Sequence, residues 1–331
     1  MGKVRIAING FGRIGRVVTR ALQDNDNIEL VAINDLAEMD QLVHLLKYDS
    51  IHRAFPGKVV AKANCIEIND QIVYVYNAKD PEELPWKELN VDVVLECTGI
   101  FRTKELAGKH LKAGAKRVIV SAPTKDDVPT YVLGVNDDAI DLAATIVSNA
   151  SCTTNCAAPM IKIMDECCGV ERGFLTTVHA YTSDQQLHDS PHPSDLRRAR
   201  AAAENIVPTS TGSANALVKL FPHLHGRLYG NAIRVPVISG SLTEMTFQVE
   251  NPLPVSEINK IFKQKSESDF KGILSYTADS IVSGDIIGNP HSCIFDAGLT
   301  VSNGNLIKVV GWYDNEAGYS NRLIDLVEKL R

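Results

Sequence analysis

The chain has 331 residues, a length for about two domains of roughly 150 residues each, so a sizeable buried core is within reach. Hydrophobic residues make up 44% and charged residues 22%, with 22 glycines and 14 prolines, which is a globular composition and excludes disorder and collagen. A formal net charge of -6 gives no long-range attraction for nucleic acid or anionic lipid, so neither is an expected partner, although a small anion can still find a locally positive site.

The amino terminus, MGKVRIAINGFGRIG, runs into glycines without the apolar core of a signal peptide, and no stretch approaches the ~18 apolar residues of a membrane span. Ile6 stands where a myristoylation signal needs Ser or Thr. Val4, Ile6 and Ile8 alternate as a strand up to Asn9. Ile14, Val17, Val18, Ala21 and Leu22 then recur at helical spacing until the Asp24–Asn27 break, and IELVAIND reads as a second strand. Further on, VDVVLECTG and RVIVSAP are short apolar runs suited to a buried parallel sheet, with a crossover helix expected from Thr103 to Ala113. ATIVSN forms a last strand of this half and leads to SCTTNC.

Beyond about residue 150 the period changes. In TEMTFQVE, Thr243, Met245, Phe247 and Val249 alternate with polar residues, as in an antiparallel strand with one wetter face. GFLTTVHAY and LIKVVGWYD read as neighbouring strands. Between them in sequence, the polar, arginine-rich stretch from Ala180 to Asn205 begins without a clear period and is expected to be an ordered long loop with a functional or interfacial role. There is no internal repeat. Leu323, Ile324, Leu326, Val327 and Leu330 suit an amphipathic closing helix.

GFGRIG places Gly10, Gly12 and Gly15 after a predicted strand and at the opening of a predicted helix, and Asp35 ends the second strand 20 residues after Gly15. This is the full context of a dinucleotide fingerprint: Gly10 for the turn, Gly12 for close approach of backbone amides to a pyrophosphate, Gly15 for helix–strand packing, and the helix dipole favouring the anion. Arg13 can add charge. The Asp35 carboxylate suits the adenosine ribose and repels a 2′-phosphate, which favours NAD over NADP. The expected fold is therefore α/β, a Rossmann-type parallel-sheet NAD domain over residues 1–150. An α+β catalytic domain with a mainly antiparallel sheet follows over 151–314, and a helix over 315–331 packs back on the first domain.

Seven cysteines, an odd number with no CxxC pair, suit a reducing cytosol and give no metal site. Cys152 follows a strand among small polar residues that suit a helix start. There, free amides, the dipole and a histidine partner can bring a thiol into the ~3.5–7.5 pKa range of reactive cysteines. Cys156, four residues on, leaves a metal or disulfide pair with Cys152 conceivable; Cys167, Cys168 and the others read as small hydrophobes. His179 lies near the end of the strand GFLTTVHAY.

GFGRIGR, SNASCTTNC, TVHAYTSDQ, LRRARAAAENIVPTSTG, RVP and WYDNEAGYSNR occur in the order and at nearly the spacings found in phosphorylating glyceraldehyde-3-phosphate dehydrogenases, and from about Lys3 to the end the chain resembles that family. The resemblance implies that Cys152 is the nucleophile and His179 its base, forming a thiohemiacetal and then a thioester that inorganic phosphate attacks. It implies NAD contacts from Asn9, Gly10, Gly12, Arg13, Ile14, Gly15, Asp35, Lys79, Thr98, Ser121, Asn315 and Tyr319. Ser151, Thr153, Thr211 and the Gly212 amide match the site of the attacking phosphate; Thr182 and Arg234 match the site of the phosphate of glyceraldehyde 3-phosphate, and Arg198 would reach an anion between them. Arg197 and Arg200 read as structural or interfacial. A cytoplasmic homotetramer with the 180–205 segment at its interfaces is also implied.

Several positions depart from the family pattern. Ala317 replaces a usual tryptophan, Lys79 a frequent arginine, and HDSPHPSDLRR is one residue longer than usual, with Ser190-Pro191 where NAD-restricted members often have Leu-Pro. GSLTEM also differs. Two alternatives are an erythrose-4-phosphate dehydrogenase, against which Thr182 and the intact PTSTG argue, and a catalytically silent NAD-binding protein, against which the joint retention of Cys152 and His179 argues. A cysteine hydrolase would leave the glycine fingerprint and Asp35 without purpose.

Overall fold

The structure, a computed structural model, describes residues 2–331. Its chain divides into two compact units. Residues 2–131, 138–150 and 320–331 form the first, and residues 132–137 and 151–319 the second.

In the first unit β1 (Val4–Asn9) passes through the glycine turn into α1 (Arg13–Ala21) and returns as β2 (Ile28–Asn34), parallel to β1. Helix α2 (Met39–Lys47) and a small ribbon of β3 (Tyr48–Asp49) and β4 (Arg53–Ala54) follow. An antiparallel edge of β5 (Val59–Ala61), β6 (Cys65–Ile68) and β7 (Gln71–Tyr76) joins β2 through β7. On the other side β8 (Val93–Glu96), β9 (Arg117–Val120) and β10 (Ile146–Ser148) extend the parallel part, giving the order β10-β9-β8-β1-β2-β7-β6-β5. The central strands are buried throughout, as expected of strands covered on both faces.

The expected crossover helix is present as two short pieces, α3 (Lys104–Ala107) and α4 (Lys109–Lys112). Thr103 caps the first by accepting the Leu106 N–H at 3.2 Å. Gly108, between the pieces, has the poorest helix propensity after proline, and an i→i+3 bond from Leu111 N–H to its carbonyl tightens the turn there.

The second unit opens with α5 (Cys152–Cys168) and continues through β11 (Val170–Ala180), β12 (Val207–Ser210), α6 (Ser213–Leu220), β13 (Leu228–Val235) and β14 (Ser241–Val249). Then come α7 (Val255–Glu267), β15 (Leu274–Thr277), β16 (Cys293–Asp296), β17 (Val301–Asn303) and β18 (Leu306–Tyr313). Helix α8 (Ala317–Lys329) closes the chain. Sheet order is β12-β13-β11-β14-β18-β16-β15, with β17 on β18. Only the β11–β13 and β15–β16 pairs are parallel. The strands GFLTTVHAY and LIKVVGWYD neighbour TEMTFQVE, since β14 pairs antiparallel with β11 on one edge and β18 on the other. Alternate residues of β14 are buried, from Ser241 to Val249. Residues 181–206 contain neither helix nor strand.

Close packing at the glycine turn is a testable demand of the first unit. A Cβ on Gly15 would lie 2.5 Å from the Gly10 carbonyl oxygen and 3.0 Å from Ile8, whereas one on Gly12 would meet nothing within 4 Å. Gly15→Ala is expected to cost about 1–3 kcal/mol of stability and Gly12→Ala less than about 1 kcal/mol, read from urea midpoints of the NAD-free protein.

Candidate active site

The first unit supplies an anion cradle. Gly10 has a φ of +91°, open to glycine, and a Cβ there would sit 2.8 Å from the Thr98 nitrogen. Gly12 is the N-cap of α1 without a side-chain cap, so the amides of Arg13, Ile14 and Gly15 begin the helix around open space that a Cβ at 12 would fill. These features fit a pyrophosphate. Asp35 is fixed by two amides, Phe11 N–H at 2.7 Å and Ala37 N–H at 2.9 Å, which ties the acidic strand end to the glycine turn. Arg13 is committed elsewhere: its guanidinium pairs with Asp49 at 2.5 and 3.2 Å. Burial pushes Asp49 up, but the hydrogen bond from Arg13 and the amides of His52 and Ile51 override it and hold the carboxyl at about 2.

Thr98 and Ser121 follow β8 and β9 and are half-buried, while Lys79 is exposed. Leu36, next to Asp35, is 56% exposed and Ile100, two after Thr98, is 69% exposed. The sequence analysis passed over both; their only signal was an apolar side chain just past a predicted strand end.

In the second unit Ser151 caps α5 by accepting the Thr154 N–H at 3.1 Å, which sets Cys152 in the first turn. The Cys152 Sγ lies 3.5 Å from His179 Nε2, at the end of β11. His179 Nδ1 lies 2.7 Å from the Ala180 carbonyl, which can only accept, and 3.0 Å from Arg234 Nη1, which can only donate; with the proton on Nδ1 directed at the nearer carbonyl, Nε2 offers its lone pair to the thiol. Arg234 Nη1 shares that carbonyl at 2.9 Å. Burial pushes the Cys152 thiol up, with Arg234 pulling only partly the other way, and burial followed by Arg234 pushes His179 down to about 3. The sequence points to free amides, the dipole and a histidine partner acting together on the thiol. Desolvation outweighs the share of the helix start, so a thiolate here depends on the imidazolium that forms when the proton crosses to Nε2.

Tyr313 packs edge-on to His179 with ring centroids 5.9 Å apart, and its buried hydroxyl bridges Thr153 at 2.9 Å and Thr177 at 2.8 Å. Thr153 is thus held under the first turn of α5. Ser151 Oγ also lies 3.3 Å from Ser213 Oγ, and Thr211 Oγ1 donates to Ser213 Oγ at 3.0 Å. Gly212 is the N-cap of α6, so this hydroxyl chain links the amino-terminal ends of two helices.

Arg234 Nη1 donates to Thr182 Oγ1 at 3.0 Å, and Arg198 donates to Thr209 at 2.9 Å and to the Ser210 carbonyl at 3.2 Å. Asp184 joins the two arginines: it accepts from Arg198 at 2.7 Å, lies 3.9 Å from Arg234 and accepts the Thr182 hydroxyl. Asp195 takes the Thr209 hydroxyl at 2.6 Å. The sequence analysis did not single out Asp184, Asp195, Ser213 or Tyr313, because each acts through partners distant in sequence. Asn315 and Tyr319 are buried, and Asn315 Oδ1 accepts from Ser241 Oγ at 3.0 Å, which fixes how its amide is turned. Arg200 pairs with Asp189 at 2.8 Å. All seven cysteines are free.

A dinucleotide-type parallel sheet, followed in the chain by a mainly antiparallel sheet with a thiol–imidazole pair, is the arrangement of an NAD-dependent oxidoreductase. Residues 4–104 match the glyceraldehyde 3-phosphate dehydrogenase NAD binding domain and residues 151–315 the glyceraldehyde 3-phosphate dehydrogenase C-terminal domain. The chain belongs to the glyceraldehyde 3-phosphate dehydrogenase family. It is 50% identical over 326 residues to glyceraldehyde-3-phosphate dehydrogenase 2 of Streptomyces avermitilis, which covers 98% of this chain and 97% of the relative. It is 52% identical over 331 residues to the enzyme of Mycobacterium avium and 48% identical over 325 residues to glyceraldehyde-3-phosphate dehydrogenase 1 of Bacillus subtilis, with the same coverage.

The electrostatics of the pair set the sign of a pH experiment. Without an imidazolium, Arg234 and the hydrogen bonds at the helix start offset only part of the burial that raises the Cys152 thiol. In His179→Asn the midpoint of the iodoacetamide alkylation profile is expected to move to higher pH by about 1 unit or more. An unmoved midpoint would show that His179 does not share the thiol proton.

Proposed function

We propose that the protein oxidises D-glyceraldehyde 3-phosphate to 1,3-bisphosphoglycerate with NAD and inorganic phosphate, through a thiohemiacetal and a thioester on Cys152. The observation that carries this reading is the 3.5 Å approach of Cys152 Sγ to His179 Nε2, in one unit with two arginines and two helix starts, one of them capped by Ser151. Nε2 takes the thiol proton as Sγ bonds to the aldehyde carbon. The proton passes to the new oxyanion, and Nε2 takes it again as the thiohemiacetal is oxidised. NAD, when bound by the glycine turn, supplies the hydride acceptor for that oxidation.

The acyl group is then held as a thioester that must meet phosphate before water. Ser151, Thr211 and the Gly212 amide are suited to the attacking phosphate because hydroxyls and helix-start amides converge on an anion there. Thr153 contributes through its place under the same helix turn. Thr182 and Arg234 are suited to the phosphate carried by the substrate, with Arg198 reaching an anion between the two sites. An incoming phosphate replaces Asp184 as the partner of these arginines.

Oligomeric state belongs to the same reading. On the outer face of β11 and β13, Phe174 and Tyr229 are 67% and 58% exposed with ring centroids 6.2 Å apart, and Ile206 beside β12 is 70% exposed. Paired exposed aromatics on a sheet face favour burial against a second copy of the chain, in keeping with the homotetramer that the family resemblance implies. No described helix is long and apolar enough to cross a membrane. The seven free thiols support a cytoplasmic setting.

NADH absorbance on mixing the protein with glyceraldehyde 3-phosphate and NAD is expected to show sustained turnover only with inorganic phosphate, and a stoichiometric burst without it. Cys152→Ser should bind NAD and show neither. Phosphate-independent turnover favouring erythrose 4-phosphate would replace this function with its hydrolytic relative. For the assembly, Phe174→Glu combined with Tyr229→Glu is expected to reduce the mass measured by light scattering to that of a smaller species, and an unchanged mass would place the subunit contacts elsewhere.

A further inference from the structure

Four polar side chains in the first unit, Asn9, Asn34, Glu96 and His110, are at most 4% exposed, and Trp86 is fully buried beside them. Three of them end adjacent parallel strands: Asn9 of β1 stands opposite Asn34 of β2 on one side and Glu96 of β8 on the other. Most of their hydrogen bonds run toward one carboxylate. Glu96 Oε2 receives Asn9 Nδ2 at 2.6 Å and His110 Nε2 at 3.1 Å. Oε1 receives the Thr98 backbone N–H at 2.8 Å and the Thr98 hydroxyl. Behind these donors, Asn34 Nδ2 donates to Asn9 Oδ1 at 2.7 Å and Trp86 Nε1 to His110 Nδ1 at 3.0 Å. Asn34 also holds both the N–H and the carbonyl of Ala78, at 2.8 and 3.0 Å.

An indole N–H can only donate, so His110 Nδ1 accepts and Nε2 carries the proton given to Glu96. The ring is a neutral spacer whose tautomer is set from outside. An apolar sheet core would avoid the desolvation of a carboxylate, two amides and an imidazole, so the return on this cluster is positional.

We infer that Glu96 is a positioning residue of the dinucleotide site. With His110 and Trp86 behind it, it fixes Thr98 and the glycine turn before the cofactor arrives. The mechanical link is direct: a Cβ on Gly10 would be 2.8 Å from the Thr98 nitrogen and 2.9 Å from its Cγ2, so the turn and Thr98 move together or not at all. The inference rests on reading the glycine turn as that site. Glutamine at 96 keeps the shape but has one oxygen for four donors. Its amide N–H would face either the Thr98 N–H or the His110 ring, and a ring forced to accept at Nε2 would turn an N–H at Nδ1 against Trp86.

Isothermal titration of NAD into the full-length protein, with no aldehyde present, tests this apart from turnover. Glu96→Gln and His110→Leu are each expected to weaken NAD binding about tenfold, with kcat at saturating NAD changed less than about twofold. His110→Gln, whose amide supplies both an N–H for Glu96 and a carbonyl for Trp86, should stay within about threefold of the wild type. Wild-type affinity in both Glu96→Gln and His110→Leu, or equal losses in His110→Gln and His110→Leu, overturns the inference while leaving the dinucleotide site standing. Failure of the wild-type protein to bind NAD overturns both. If Glu96→Gln and His110→Leu do not fold, Trp86→Phe decides: deleting the one donor to Nδ1 should weaken binding about threefold, and no change overturns the inference.

Discussion

Desolvation of the Cys152–His179 pair is the constraint around which the second unit is arranged. A low-dielectric setting favours the neutral thiol and the neutral imidazole taken singly, yet a thiolate and an imidazolium in contact neutralise each other. The proton can therefore move between Sγ and Nε2 only while their geometry is held. Ser151 holds the sulfur side by capping α5, and the Ala180 carbonyl holds the imidazole side at Nδ1. Ala180 is itself anchored, since its N–H donates to Ser241 Oγ at 3.1 Å. The same Ser241 hydroxyl donates to Asn315, so one β14 side chain supports both the base and a residue assigned by resemblance to the cofactor.

Two half-buried arginines near this pair pose a second electrostatic problem. Arg234 lowers His179 and would repel an imidazolium if its charge stood alone. Asp184 answers this by pairing with Arg198 and approaching Arg234, which holds both arginines in position. A phosphate held as proposed would exchange one negative partner for another, and its binding would not have to order long side chains from a disordered start.

Much of the first unit was legible because its signals are local. The alternation of Val4, Ile6 and Ile8, the glycine spacing and Asp35 predict a strand, a turn, a helix and a second strand from adjacent residues, and β1, α1 and β2 follow them. Signals that depend on distant pairing were not legible. Alternation identifies β14 as a strand, but its register against β11 and β18 follows from pairing that the sequence does not show. Arg13 reads as a charge for an anion until Asp49, 36 residues on, takes it up. Tyr313 reaches Thr153 across 160 residues, and the hydroxyls that join α5 to α6 come from segments 62 residues apart. For the thiol, a helix start and a histidine are visible in sequence, whereas the burial that opposes the thiolate belongs to the packed structure.

Both sites depend on strands that run side by side in the same direction. In a parallel pair the carboxyl ends lie at one edge, so polar residues ending neighbouring strands emerge together; an antiparallel partner sends them to opposite edges. In the first unit this gathers Asn9, Asn34 and Glu96. The second unit is mainly antiparallel, yet β11 and β13 run parallel with His179 opposite Arg234 in register. That parallel pair puts His179 and Arg234, the proposed base and the proposed phosphate donor, on adjacent positions. Were β13 reversed, the pairing that now follows from backbone geometry would need a long side chain reaching from the far edge. Around this pair β12, β14 and β18 keep antiparallel pairing, and the other parallel pair, β15–β16, lies at the far edge of the sheet.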